Sequence, residues 1–239
     1  EYLFNKKKQG TFLSLDELIK YYFLLWDKNW HSRIAIVNKN VLPIDQSKNI
    51  SIWKKYAAFY YRIGEKCLTR FYSMNQPFEQ NVYSNEYKID FFLDDNKNYR
   101  IKGVIDRVDL DNMGNWEIHD YKTGKRVYTQ KDADKDIQLG LYQVGLEKEK
   151  KSNVNSITLV WHFLQQPKER ILVQSKRSKE QIKDLKTKII NNIDKIINTI
   201  EKKNRFQAKK TMLCNWCYYW EECPSQSSGN PHMNTTLRK

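Results

Sequence analysis

Two stretches carry carboxylates and a lysine at spacings that suit metal chemistry, GVIDRVDLD at 103–111 and WEIHDYKTGK at 116–125. Read as neighbouring strands, they place Asp106 on one and Asp120 with Lys122 on the next. Period-two alternation puts Asp120 and Lys122 on one face and turns Tyr121 to the other. A short turn between antiparallel neighbours brings Asp106 beside them. Two carboxylates and a backbone carbonyl make a hard oxygen site suited to Mg²⁺ or Mn²⁺. A lysine at its edge positions or deprotonates a water and stabilises charge developing on a phosphate. On spacing alone a plainer reading stands beside this one: Asp109, Asp111 and Asp120 as turn or edge residues, and Lys122 as a surface charge.

A second constellation lies near the C-terminus, where Cys214, Cys217 and Cys223 form C-x2-C-x5-C in TMLCNWCYYWEECP. The first pair has the spacing of a metal-binding turn. The one other cysteine, Cys67 in KCLTRFY, leaves too few thiols for a disulfide framework. Cys67 is a candidate fourth ligand, although its helical surroundings also suit a small buried thiol. Soft thiolates alone suit zinc and iron–sulfur clusters equally.

The elements that must position these groups follow from periodicity. Ser14 and Glu17 form an S-x-x-E capping box at the head of LSLDELIKYYFLLW, with Leu15, Leu18, Ile19 and Tyr22 at helical spacing. A second helix is predicted from about Ile50 to Tyr72, ending before Pro77. Strands are predicted at Val82–Leu93, Tyr99–Leu110 and Trp116–Lys122, separated by turns at DDNKN and DNMGN. A helix over Lys131–Leu146 follows, then strands at Ile157–Leu164 and Ile171–Gln174. Ser178–Lys203 is the clearest helix, with Ile182, Leu185, Ile189, Ile193, Ile196 and Ile200 in one apolar stripe under a Lys-rich face. PSQSSGNPHMNTTLRK reads as a loose tail. This order argues for an α/β fold, a mixed sheet flanked by helices.

Lys and Arg outnumber Asp and Glu by 42 to 28 in the 239 residues, a net charge of +14. That excess favours a polyanionic partner, and interleaved aromatics suit stacking on unpaired bases. A solvated basic face or an acidic lipid surface accounts for the same charge. With 40% hydrophobic and 13% aromatic residues the chain is not disordered. Its most apolar run, near Tyr21–Trp26, is far too short to span a bilayer. The opening EYLFNKKK is no secretory signal and lacks an initiating Met, which suggests a fragment and, together, a cytoplasmic protein.

GVIDRVD followed by EIHDYKTGK resembles the RecB-like branch of the PD-(D/E)xK nuclease superfamily, where a G-x-[IVL]-D-R-[IV]-D strand precedes a YKTG strand. QLGLY supplies that branch's Q-x-x-x-Y helix motif as Gln138 and Tyr142, and C-x2-C-x5-C followed by Pro224 is similar to the ending of its iron–sulfur members. The resemblance implies a restriction-endonuclease-like core over 77–204, behind a helical N-terminal part at 1–76 and before a Cys-cluster segment at 205–224 and a tail at 225–239. It implies Asp106, Asp120 and the Tyr121 carbonyl as metal ligands and Lys122 as the catalytic lysine. Gln138 and Tyr142 would support the active site and contact DNA. Glu79, in PFEQNVY, resembles a Glu often found on the strand before the metal site. Cys214, Cys217 and Cys223, with Cys67 as a candidate fourth, would hold a [4Fe–4S] cluster, with zinc as a substitute. The implied cofactors are therefore Mg²⁺ or Mn²⁺ and the cluster.

The implied activity is metal-dependent DNA exonuclease action in repair or recombination. The implied partners are DNA, single-stranded or with free ends, and a helicase, with no membrane. The rival readings are an impaired DNA-binding or helicase-associated module and a CRISPR-associated adaptation nuclease. The branch's N-terminal G-x-x-x-H histidine and early Cys-Pro are missing between Glu1 and Lys239. His31 reads as a loop or helix-end residue, His162 as a core histidine, and His119 as alternating away from Asp120. Lys179, Lys183 and Lys186 could track a phosphate backbone, and Trp216, Tyr218, Tyr219 and Trp220 are expected to pack against the core.

Overall fold

The computed structural model describes residues 1–30, 50–167, 171–202, 206–217 and 219–225. His31 and most of the C-terminal tail lie outside the described residues. Three helices come first: α1 (Tyr2–Lys8), α2 (Leu15–Asn29) and α3 (Ile50–Asn75). Strands β1 (Val82–Phe92), β2 (Arg100–Leu110) and β3 (Asn115–Lys122) follow. Helices α4 (Gln130–Lys135) and α5 (Ile137–Lys150) then lead to β4 (Ser156–Phe163), β5 (Leu172–Ser175) and α6 (Lys179–Glu201).

The five strands form one sheet in sequence order. β1 to β3 make an antiparallel meander, β4 runs parallel to β3, and β5 returns antiparallel to β4. A parallel step needs a crossover long enough to carry the chain back along the sheet, and α4 and α5 supply it. The architecture is the mixed, helix-flanked α/β sheet expected of a restriction-endonuclease-like core. The chain divides into two compact units, residues 1–18 with 66–202 and residues 19–65 with 203–239.

In the first unit, α5 packs against β1, β3 and β4 and α6 packs against α5. Ile105, Ile118, Leu139, Leu146, Leu159 and Trp161 are fully buried in this layer. The opposite layer holds Leu3 and Phe4 of α1 against Phe71 and Tyr72 of α3, and Phe78 beyond it. In the second unit, the Tyr22 ring stacks on Tyr61 at 5.0 Å and its hydroxyl donates to the Tyr61 carbonyl. Trp26 stacks on Trp30 at 4.5 Å. No helix among the described residues is long and apolar enough to cross a membrane.

Two local features depart from simple periodicity. The predicted helix over Lys131–Leu146 is two helices, because Asp136 adopts an extended ψ of 128° and its carboxylate caps the Leu139 N–H at 2.8 Å. Asp is a strong N-cap, and capping a new helix outweighs continuing the old one. In the sheet, Ile105 and Val108 are both completely buried in one core although strict alternation separates them. Beside this stretch, Glu86 of β1 takes φ +49° between the paired residues Asn85–Arg107 and Tyr87–Ile105.

Gly145 of α5 lies against β1 with no room for a side chain. A Cβ there would stand 2.8 and 2.9 Å from ring carbons of Phe91 and 3.0 Å from Ile89 Cδ1. Gly145→Val is therefore expected to destabilise the fold by about 1–3 kcal/mol, as overpacked cores do. Urea unfolding measures it, and an unchanged midpoint would contradict this packing.

Candidate active site

The site forms where β2 and β3 part. Their ladder pairs Leu110 with Trp116 through to Arg107 with His119, while β3 continues beside β4 as far as Lys122 with Phe163. Just beyond the last β2–β3 pair, Asp106 substitutes its side chain for a ladder bond: Oδ2 accepts the Tyr121 N–H at 2.8 Å. The Lys122 carbonyl accepts from Leu164 N at 3.0 Å on the β4 side. By strand alternation the N–H and carbonyl of Tyr121 face the other way, toward Asp106.

Asp120 is 4% exposed, and its Oδ2 lies 2.8 Å from Lys122 Nζ. Beyond this ion pair, Oδ2 has no hydrogen-bond partner among the described residues. Lys122 Nζ also donates to Gln138 Oε1 at 3.1 Å, and Gln138 Nε2 donates to the Tyr142 hydroxyl at 3.2 Å. The i, i+4 spacing on α5 makes that second bond possible. Tyr142 in turn lies over Gly103, where a Cβ would come within 2.7 Å of its ring. One chain of contacts thus runs from Asp120 through Lys122, Gln138 and Tyr142 to the glycine that opens GVIDRVD, with Asp106 tied to the same strand.

Burial pushes the Asp120 carboxyl above the usual carboxylate range; Lys122 opposes the rise, and the charges of Asp106 and Asp136 add to it. For Lys122, burial works toward a neutral amine, but the hydrogen bond and charge of Asp120, with Tyr128 and Asp136, outweigh it and lift the ammonium above its ordinary value. The lysine is a fixed cation at neutral pH. The carboxylate is one that a further positive charge would stabilise.

The far face of the sheet holds a polar cluster that strand alternation alone did not reveal. Arg107, 3% exposed, places Nε 3.0 Å from Asp109 Oδ1 and donates from Nη1 to Asn75 Oδ1 at 2.9 Å and to the Tyr121 hydroxyl at 2.8 Å. Its Nη2 lies 3.2 Å from His119 Nε2, and His119 Nδ1 lies 2.9 Å from His162 Nε2. The sequence carried no distinct signal for it, since Arg107 is one of five charged residues in β2. Ligand atoms of Asp109, Glu117 and His119 lie within 4.8 Å of one another. The guanidinium already neutralises Asp109 and occupies the His119 edge, so this group works as an arginine's counter-charge.

Glu79 departs from expectation. It is exposed and shares a cleft with Asp109, Glu117 and Lys176, which neither Asp106 nor Asp120 lines. The chain reaches it through a cis Gln76–Pro77 bond and Phe78 at φ +65°. His162 is buried at the centre of the far-face cluster, as a core histidine. Cys67 is buried, and burial pushes its thiol up. In the second unit, Cys214 and Cys217 each accept a backbone N–H at Sγ, from Thr211 and Tyr219, at 3.4 Å. Tyr219, expected to pack against the core, is 72% exposed. Tyr218 lies outside the described residues.

The sequence profile of the PD-(D/E)XK nuclease superfamily matches residues 42–224, most of the chain and all five strands. The chain belongs to this superfamily. No curated protein matches it. Membership in the PD-(D/E)XK superfamily places the chain among metal-dependent nucleases. The residues fit a divalent cation on structural grounds of their own. Asp120 offers a buried carboxylate oxygen with no hydrogen-bond partner among the described residues beyond Lys122, a second carboxylate lies nearby, and the pair consists of the hard oxygen donors that Mg²⁺ and Mn²⁺ prefer.

The buried histidines give a pH prediction. Burial, with the charges of His119 and Arg107, pushes His162 down from 6.5 to about 2, so the folded protein keeps it neutral. The unfolded chain takes up that proton near its ordinary value. This contribution is therefore whole above pH ~6.5 and is lost progressively as pH falls toward ~2. The Tm of the natural sequence should drop more steeply than that of His162→Gln between about pH 7.5 and 5. Parallel slopes in thermal melts would refute the assignment.

Proposed function

We propose that the chain is a divalent-metal-dependent exonuclease of the RecB-like branch, hydrolysing phosphodiester bonds of DNA that is single-stranded or has free ends. The observation that carries this reading is the convergence of Asp106, Asp120, Lys122, Gln138 and Tyr142 at the point where β2 and β3 separate. In this reading Asp106, Asp120 and the Tyr121 carbonyl hold Mg²⁺ or Mn²⁺, which supplies Lewis acidity at the scissile phosphate and a more acidic water.

Lys122 stays protonated under the pull of Asp120 and stabilises negative charge developing on the phosphate. A protonated lysine is a poor general base, so its role is electrostatic. Gln138 accepts from Lys122 and holds the ammonium over the carboxylates, and Tyr142 holds Gln138. The positive face of α6, with Lys179, Lys183 and Lys186, adds backbone attraction to DNA. Residues 77–204 form the catalytic core of this reading, with 1–76 as a helical N-terminal part. In the same reading Cys214, Cys217 and Cys223 would hold a [4Fe–4S] cluster within the 205–224 segment. A cytoplasmic role in DNA repair beside a helicase follows from the same branch.

Linear and covalently closed circular DNA, each offered with Mn²⁺, Mg²⁺ or EDTA, test the reading. Metal-dependent loss of the linear DNA with the circle intact is expected. Nicking of the circle would replace exonuclease with endonuclease action. Binding without cutting of either would favour a DNA-binding module.

A further inference from the structure

Arg107 has no part in the chemistry above, yet the fold goes to some length to bury it. A guanidinium out of water is tolerated only when its charge is matched and its donors are used. Here Asp109 supplies the charge at 3.0 Å. Asn75, at the end of α3, takes one donor, and the Phe4 ring of α1 covers the group at 5.1 Å. Arg107 Nη2 lies 3.2 Å from His119 Nε2, and Nη1 also donates to the Tyr121 hydroxyl at 2.8 Å.

Tyr121 is held on its other sides as well. Its ring stacks on His162 at 4.6 Å and 25°, and Phe71 meets it edge-on at 5.3 Å. The side chain therefore has one position available. Its backbone N–H is the group that ties β3 to Asp106, and its flanking residues are Asp120 and Lys122.

We propose that Arg107 is a positioning residue that clamps Tyr121 from the far face of the sheet, so that the Tyr121 peptide holds Asp106 and Asp120 at metal-binding geometry. The inference rests on the nuclease reading. It adds that the Arg of GVIDRVD acts on the metal through Tyr121, and that α1 and the end of α3 brace the same clamp.

Tyr121→Phe removes only the clamped hydroxyl and keeps the ring between His162 and Phe71. Arg107→Lys keeps the charge but cannot serve Asn75, Asp109 and Tyr121 at once. Mn²⁺ binding is read by loss of the free-ion signal in electron paramagnetic resonance, beside the Mn²⁺ dependence of cleavage and a thermal melt. Both variants should bind Mn²⁺ about tenfold more weakly, the size of loss usual when a group orienting a ligand is removed. The half-saturating Mn²⁺ should rise by a larger factor than kcat at saturating metal falls.

Tyr121→Phe with the natural sequence's Mn²⁺ affinity, and only a lowered Tm, would overturn the clamp and leave the nuclease reading intact. If Arg107→Lys fails to fold, Tyr121→Phe decides alone. If the natural sequence binds no Mn²⁺ while Asp120→Asn behaves identically, the nuclease reading falls and the clamp with it.

Discussion

Lys122→Ala is expected to slow DNA cleavage by about 100- to 1,000-fold, the range usual when one donor facing the developing charge is removed. The loss should lie in kcat, because the ammonium matters most when charge accumulates on the phosphate. Metal binding should survive or tighten, since Asp120 loses the cation that now lies 2.8 Å from its carboxylate. Gln138 loses its donor in the same step, so its side chain is freed to turn. Lys122→Arg keeps a charge but replaces a point cation with a planar fork, and should restore only part of the rate. Single-turnover cleavage at saturating Mn²⁺ separates these outcomes. A Lys122→Ala chain that cuts at the original rate would remove the lysine from the mechanism.

Trp161→Ala should cost about 3–5 kcal/mol of stability, the usual range for emptying a fully buried aromatic site. Trp161 has no exposure and lies beside Asp120 across the parallel β3–β4 ladder. Tyr128 packs near it at 6.0 Å. It is therefore both a core residue and part of the support under the carboxylate. Trp161→Phe should cost much less, because the indole N–H has no hydrogen-bond partner among the described residues to lose. Chemical unfolding of the two variants tests the pair. Equal losses would mean that the indole nitrogen matters in a way this packing does not explain.

The strands, their order along the chain and the face shared by Asp120 and Lys122 were legible because period-two alternation and turn residues carry that information directly. The Gln138–Tyr142 pair was legible from helical spacing. Three things were not. The break at Asp136 hid inside a helical pattern, since one Asp reads equally as an exposed helix residue or as a cap. Glu79 looked like a strand carboxylate near the site, but the turn through Gln76–Pro77 and Phe78 sends it to another cleft. The clamp around Arg107 was hidden because its partners come from α1, α3, β2, β3 and β4, and no periodicity within one element reports such a meeting.

The same contrast explains the site. Asp106 and Tyr121 are fifteen positions apart, and their hydrogen bond exists only because β2 and β3 separate after Arg107 and His119. Strand alternation foretold the faces but not the place of separation. That place turns an ordinary pair of strands into a gap lined by two carboxylates and a lysine.

The most direct test of this account is degradation of end-labelled DNA by the natural sequence and by Asp120→Asn, each with Mn²⁺ and with EDTA. Cleavage by the natural sequence in Mn²⁺ alone, absent in EDTA and in Asp120→Asn, is the predicted result. Cleavage that persists in EDTA, or in Asp120→Asn at the natural rate, would contradict a metal-dependent site built on Asp106, Asp120 and Lys122.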